Sequence, residues 1–408
     1  MPPETAPSVA SRHLVPERAA ALVVAVGIVG ALHVGKLPPA IPVLKDALGV
    51  TLVQAGFLLA LVQMAGMLLG APVGMLADRL GPRRVMLWGL GLLALASGLG
   101  ALVVSVEMLL LTRALEGLGF LLTVLPAPGL LRRLLHEPQV LSRALGFWGS
   151  YMSIGAGTAL LIGPLAYVAL GWRISWAVLA LLVMVFAVLL WRHVPADGVQ
   201  PGAPSQSMWQ RLHLTLTSRA PWLVALGFLM YSGQWLAVVG FLPTVYTQAG
   251  WSPAVVGVLS AGAAGINLVG NIAAGRLLSH GMPPGVLLAV GYLTMALGAV
   301  VTFSPEAGPL WQYVAVLLFS AVGGLVPGTL FGLAVRLAPS AHTVSTTVGW
   351  MQQGSSLGQF FGPPLVAWLA VQAGGWHHTW WVTGACSLCG MALAVLLQRQ
   401  VQRMAGAA

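Results

Sequence analysis

The sequence has very few charged residues: 19 Lys and Arg and 9 Asp and Glu among 408 residues, or 7%. A typical soluble domain has about 25% charged residues. A chain of this length with so few charges cannot cover itself with a polar surface, so a soluble domain is excluded. Cysteine is also scarce. Cys386 and Cys389 form a C-x-x-C pair inside an apolar run that contains no other metal ligands, so we expect them to be packing residues and expect no metal site.

The sequence lacks the short motifs of the common enzyme classes. It has no G-x-S-x-G, no P-loop, no H-E-x-x-H, and no G-x-G-x-x-G after a strand. We therefore predict that the protein is not an enzyme and has no cofactor. The absence of a P-loop also argues against ATP hydrolysis by this chain.

Long apolar runs dominate the chain, which is 58% hydrophobic with a mean hydropathy of +0.89. A membrane-spanning helix needs about 20 apolar residues, and runs of this length exclude the short alternating strands of a barrel. The sequence predicts an all-α integral membrane protein with twelve transmembrane helices. The predicted spans are 19–43, 52–76, 84–104, 108–130, 144–169, 174–194, 221–246, 253–278, 284–303, 309–335, 344–372 and 380–398.

Basic residues lie on alternate sides of these spans. If both termini are cytoplasmic, Lys45 and Arg173 are the only interfacial basic residues outside the cell, which is the positive-inside pattern of an inner (plasma) membrane protein. This pattern accounts for the net charge of +10 without a nucleic-acid partner. We predict an amino-terminal tail, two six-helix halves joined by a cytoplasmic linker, and a carboxy-terminal tail. Their bounds are 1–18, 19–194, 195–220, 221–398 and 399–408.

The two halves repeat each other. A shift of 201 residues places Pro42, Gly49 and Gly56 over Pro243, Gly250 and Gly257. A shift of 204 residues places the segment 171–176, Gly-Trp-Arg-Ile-Ser-Trp, over 375–380, Gly-Trp-His-His-Thr-Trp. We therefore predict two pseudo-symmetric halves with a solute site near the midplane between them.

The segment 74–84 is the densest cluster of charge between two spans. It reads G-x-L-A-D-R-x-G-x-R-R and resembles the loop between helices two and three of the major facilitator superfamily of secondary transporters. The resemblance implies that this loop gates the cytoplasmic side, with Asp78 near the amino end of span eleven at 343–345. The residues that match the motif are Gly74, Asp78, Arg79, Gly81, Arg83 and Arg84.

Two further stretches carry weaker resemblances. Residues 113–119, Arg-Ala-Leu-Glu-Gly-Leu-Gly, resemble the superfamily's R-x-x-x-G-x-G pattern on helix four. Residues 37–42 and 234–246 are similar to the bacterial cyanate-permease-like branch, which implies transport of a small anion by alternating access. A drug or metabolite efflux antiporter, and a transporter-fold sensor that moves no solute, remain alternatives.

Once the residues at the membrane interfaces are set aside, four ionisable residues lie well inside predicted spans: His33, Lys36, Arg113 and Glu116. His33 and Lys36 on span one are three residues apart and share a helix face, as do Arg113 and Glu116 on span four. The two cations, Lys36 and Arg113, outnumber the one acid, which favours an anionic solute. Glu116 is the candidate for proton coupling. Alternatively, Lys36 extends to the membrane surface, Arg113 and Glu116 only neutralise each other, and His33 is structural.

Polar residues of the second half complete the predicted solute site. Gln234 is the symmetry partner of His33 and lies beside Trp235, and Gln352 lies on the polar span eleven. Because Gln352 and Gln353 are adjacent, we expect one of them to pack against a neighbouring helix. We expect the protein to be a monomer in a lipid bilayer with a small-molecule solute as its partner.

Overall fold

The computed structural model describes residues 14–197, 208–340 and 343–406, and every regular element in these ranges is helical. The side chains of Asp78 and Ser345 lie outside the described part. The helices are α1 Pro16–Gly35, α2 Leu37–Leu48, α3 Leu52–Leu80, α4 Pro82–Leu102, α5 Val106–Val124, α6 Ala127–Leu134, α7 Pro138–Trp148, α8 Tyr151–His193, α9 Met208–Thr217, α10 Arg219–Gln248, α11 Pro253–Gly265, α12 Asn267–Ser279, α13 Pro284–Thr302, α14 Pro309–Gly323, α15 Leu325–Arg336, α16 Val344–Gln372 and α17 Thr379–Gly406, with one 3-10 turn at Trp376–His378.

Ten helical segments of the described chain are long and apolar enough to cross a membrane. One of them, α8, reverses direction at Gly171, whose φ of 75° is outside the helical region, and therefore supplies two spans. Ser175 Oγ lies 3.4 Å from the Ala166 carbonyl oxygen across this reversal. The twelfth span is α16, which has the length but a more polar composition because of its Gln and Ser residues. The twelve-helix fold predicted from the sequence is therefore confirmed.

The repeat is visible in the backbone. Gly49 ends α2 with a φ of 70°, and its symmetry partner Gly250 follows α10 with a φ of 81°. Only glycine adopts this left-handed conformation readily, so both halves turn at the same place for the same reason.

The loops at Gly49 and Gly81 mark the two ends of the molecule. The loops that lie at the Gly49 end are 49–51, 103–105, 249–252, 303–308 and 373–378. The loops that fall between these along the chain lie at the Gly81 end.

The two halves pack closely at the Gly49 end. A Cβ at Gly56 of α3 would lie 2.8 Å from Pro364 Cα of α16, and one at Gly257 of α11 would lie 2.5 Å from the Leu161 carbonyl oxygen of α8. Leu59 packs against Gly240 of α10 in the same region.

Farther along α3, Gln353 Nε2 donates to the Met67 carbonyl oxygen at 3.4 Å. Among the described atoms, none lies within 4 Å of a Cβ built at Gly74. The structure is thus closed between the halves at the Gly49 end.

Candidate functional site

A break in the first span creates the candidate site. Pro38 and Pro39 have no N–H group, so the carbonyl groups of Val34 and Gly35, four residues earlier, lose their usual helical donors. The chain accordingly passes from α1 to α2 at Lys36. This break places polar backbone groups in the interior of the membrane domain, where they need other partners.

Arg113 supplies several of those partners. Its Nη1 donates to the His33 carbonyl oxygen at 2.6 Å, its Nη2 to that of Val34 at 3.5 Å, and its Nε to that of Leu58 on α3 at 3.1 Å. One guanidinium therefore connects α5 to the broken first span and to α3.

Glu116 lies between the two buried cations. Its Oε1 is 2.5 Å from Lys36 Nζ and its Oε2 is 2.7 Å from Arg113 Nη1, and each of the three side chains is 1% exposed. The ionised forms of these three groups sum to one positive charge. A buried ionic group is costly unless it is paired and hydrogen-bonded, so this surplus charge has to be balanced by its surroundings or by a bound anion.

Lys36 is enclosed by groups from three other helices. Its Nζ donates to Ser97 Oγ of α4 at 2.8 Å and lies 4.1 Å from the centre of the Trp176 ring of α8. Tyr167 of α8 donates to the Lys36 carbonyl oxygen at 2.5 Å, and Trp176 Nε1 donates to the Tyr167 hydroxyl at 3.3 Å. In this conformation Lys36 is therefore paired inside the first half and does not extend to the membrane surface.

His33 is buried beside this cluster. Its Nδ1 lies 3.2 Å from the Val29 carbonyl oxygen one turn earlier. Its Nε2 is buried with no hydrogen-bond partner among the described residues.

The structure does not bring the predicted residues of the second half to this cluster. Gln234 accepts a hydrogen bond from Ser387 of α17 at 3.1 Å, and Trp235 donates to Ser320 of α14 at 3.1 Å. Gln352 is exposed, whereas its neighbour Gln353 packs against α3, as the adjacency of the two glutamines predicts. The described charged contacts of the site thus belong to the first half alone.

At the Gly81 end, the charged loop binds an acid that the motif did not indicate. Asp197, which follows α8, accepts from the backbone N–H groups of Arg83 at 3.2 Å and Arg84 at 2.8 Å, and it forms an ion pair with Arg133. A Cβ at Gly81, which has a φ of 93°, would overlap the Asp197 side chain. Asp197 therefore stabilises the amino end of α4 and packs with the first half, although the sequence assigned it to the linker.

The remaining residues of the loop are more exposed or outside the described part. Arg83 Nη2 donates to the Trp191 carbonyl oxygen at 2.5 Å. Arg79 is exposed, and the predicted contact of Asp78 with 343–345 lies outside the described side chains.

Sequence reasoning found Arg113 and Glu116 by their spacing but missed Ser97, Tyr167, Trp176 and Asp197. A serine, a tyrosine and a tryptophan are common in apolar spans, and no local pattern marks them as partners of Lys36. Asp197 is the only acid of the described chain between Glu137 and Glu306, and this isolation was a signal that it needs a basic partner.

Several characterised proteins resemble this chain. It is 30% identical to a chloramphenicol resistance protein of Pseudomonas aeruginosa over 74% of this chain and 71% of that protein. It is 28% identical to the 2-nitroimidazole transporter of Escherichia coli over 83% and 84% of the two chains. It is 31% identical to human monocarboxylate transporter 11 over 81% and 72%.

Solved structures share the fold. A bacterial homolog of the human lysosomal transporter Spinster, in an inward-facing and unoccupied conformation, matches with a TM-score of 0.76 and 16% identity over 96% of this chain and 98% of that chain. The same homolog in an inward-facing and occupied conformation gives a TM-score of 0.79 and 15% identity over 94% and 96%.

The family model of the Major Facilitator Superfamily matches residues 21–352. This match covers most of the chain and agrees with the helical fold and with the relatives above. The family and its fold are those of transporters of small-molecule solutes and not of enzymes. The chain is a multi-pass membrane protein that belongs to the Major Facilitator Superfamily.

Proposed function

We propose that this protein is a proton-coupled secondary transporter of a small organic or inorganic anion. The observation that carries the proposal is the buried cluster in which Lys36 and Arg113 share the single carboxylate of Glu116. An anion is the solute whose charge this surplus cation would complement. Similarity to a monocarboxylate transporter supports the same class of solute.

Proton and anion binding are linked in this proposal through Lys36. Protonation of Glu116 removes the negative charge that holds Lys36 Nζ, so two cations then lack a counterion. An entering anion binds Lys36 and replaces the lost carboxylate charge. Proton and anion therefore bind together and leave together, which is symport.

Arg113 has a different share in this mechanism. Arg113 makes four hydrogen bonds, to three carbonyl oxygens and to Glu116. Lys36 Nζ makes two, to Ser97 and Glu116, so Lys36 breaks fewer bonds to the protein when it binds an anion. A direct contact of the anion with Arg113, assisted by Gln234 as the sequence predicts, requires these helices to rearrange.

The cluster is connected to the interface between the halves. Arg113 binds the Leu58 carbonyl oxygen, and the next residue, Leu59, packs on Gly240 of the second half. A change of charge at Glu116 can therefore alter the packing that closes the Gly49 end. This is the physical link that alternating access needs between binding and opening.

The proposed orientation has both termini in the cytoplasm of a cell with the protein in its inner (plasma) membrane. With this orientation the closed Gly49 end faces outside. A cysteine introduced at Pro305 in the loop 303–308, in a variant without Cys386 and Cys389, should react with an impermeant thiol reagent added outside. Reaction only after the membrane is opened would reverse the orientation.

A second candidate function is efflux of an uncharged drug. It is favoured by the 30% identity to the chloramphenicol resistance protein and the 28% identity to the 2-nitroimidazole transporter. An efflux antiporter would exchange a proton for the drug at the same buried carboxylate.

Uptake into proteoliposomes separates the two functions. The panel contains monocarboxylates, small inorganic anions, chloramphenicol and 2-nitroimidazole, each measured with and without a pH gradient. We expect accumulation of at least one anion when the outside is acidic, and none in empty liposomes. Transport of the neutral drugs alone, with no anion moved, would overturn the anion proposal.

A further inference from the structure

The second half has basic residues at the Gly81 end with no acid of its own to balance them. From residue 208 to 408 the sequence has six arginines and one acid, Glu306. Glu306 lies in the loop between α13 and α14, at the Gly49 end. In the first half, by contrast, Asp197 forms an ion pair with Arg133 at the Gly81 end. The arginines of the second half therefore have no acidic side chain from their own half beside them at this end.

Three of these arginines line one small cavity between the start of α10 and the last turns of α17. The cavity has a volume of about 60 Å³ and is lined by Arg219, Leu396, Arg399, Gln400 and Arg403. Among the described residues, none of the three arginines has a salt bridge or a side-chain hydrogen bond. Ser218 provides no side-chain cap to α10, so the first backbone N–H groups of that helix also lack a local acceptor.

The surroundings place this cavity at the level of lipid headgroups. The short helix α9 lies next to it in the chain, and its Trp209 is 71% exposed. Trp222 of α10 is 41% exposed and donates through Nε1 to the Leu216 carbonyl oxygen, which holds α9 against α10. Exposed tryptophans of membrane proteins concentrate at the boundary between hydrocarbon and water.

We propose that the cavity formed by Arg219, Arg399 and Arg403 binds the phosphate of an anionic phospholipid in the leaflet at the Gly81 end. Guanidinium groups suit this ligand because they donate paired hydrogen bonds to phosphate oxygens. The cavity is too small for acyl chains, which instead lie along the apolar surface beside α17, where Val395 is 51% exposed. Basic pockets between transmembrane helices are a recognised means of binding anionic headgroups.

Lipid retention by the purified full-length protein tests this site. Native mass spectrometry and lipid exchange in nanodiscs are measured with phosphatidylglycerol against phosphatidylcholine, for the parent and for R219Q/R399Q/R403Q. The matched control is R276Q/R336Q, which removes arginines from the same end of the second half but outside the cavity. Melting in phosphatidylcholine alone verifies that each variant is folded.

We expect the parent to retain phosphatidylglycerol and the triple variant to bind it about a hundredfold more weakly, because each basic residue contributes about 1 kcal/mol near anionic lipid. The control variant should retain most of the binding. R219K/R399K/R403K keeps the charge but loses the paired hydrogen bonds, so it should bind more weakly than the parent and more tightly than the triple glutamine variant. Equal retention by the triple variant and the parent would overturn the proposal. Displacement of the lipid by millimolar inorganic phosphate would also overturn it, since the site would then bind free phosphate.

Discussion

Glu116 Oε1 lies 2.5 Å from Lys36 Nζ, and both side chains are 1% exposed. The lysine stands at the break between α1 and α2, and the glutamate stands one turn along α5 from Arg113. A carboxylate shared by two cations at such a break is sensitive to a single proton. This contact is therefore the centre of the proposed mechanism.

Arg113→Lys keeps the charge but loses the planar fork that binds three carbonyl oxygens. Hydrogen bonds to charged groups contribute about 1.5–3 kcal/mol each, so we expect a loss of about 2–4 kcal/mol in stability and at least a tenfold loss in anion uptake. Thermal melting and proteoliposome uptake measure the two effects. Arg173→Lys, at an exposed site with one carbonyl contact, is the control and should change neither by much. An Arg113→Lys variant with parental stability and uptake would contradict the role assigned to the guanidinium.

Gly56→Leu should prevent the Gly49 end from closing, because even a Cβ at this position lies 2.8 Å from Pro364 Cα. The variant should expose the cluster to the Gly49 side and slow transport. Labelling of a cysteine placed at Leu59 reports this opening. The matched control is Gly91→Leu, since a Cβ at Gly91 meets no heavy atom within 4 Å. Unchanged labelling in Gly56→Leu would show that this contact does not close the molecule.

Asp197→Ala removes both an ion pair with Arg133 and the acceptor for two backbone N–H groups of α4. We expect a loss of about 1–3 kcal/mol, as for helix caps combined with a partly buried pair. Asp197→Asn retains an acceptor oxygen and should lose less than Asp197→Ala. Asp46→Ala, at an exposed carboxylate, is the control for melting measurements. If Asp197→Ala melts like the parent, the loop is held by other contacts.

The sequence was sufficient for the fold and for part of the site. Span lengths and the 201-residue repeat predict twelve helices, and the spacing of Arg113 and Glu116 predicts their contact one turn apart. The partners Ser97 and Trp176 lie 61 and 140 residues from Lys36 along the chain, and only the packing of α4 and α8 against the first span brings them there.

Symmetry was a less reliable guide to contacts. His33 and Gln234 occupy equivalent places in the repeat, but Gln234 binds Ser387 whereas His33 lies beside a charged cluster. The backbone turns repeat between the halves, but the side chains at these two equivalent places have different neighbours. Side-chain partners therefore could not be transferred from one half to the other.

The most direct test of the central claim is the proton movement that accompanies anion uptake. In liposomes without a pH gradient, adding the transported anion outside should make the outside more alkaline in the parent. Glu116→Gln should abolish this proton movement while anion exchange across the membrane continues. Glu116→Gln leaves two buried cations without a carboxylate, which is costly for folding. The double variant Lys36→Met/Glu116→Gln removes one of these cations and is measured beside it. This double variant should move neither protons nor anions. Proton movement of parental size in a folded Glu116→Gln variant would contradict the account.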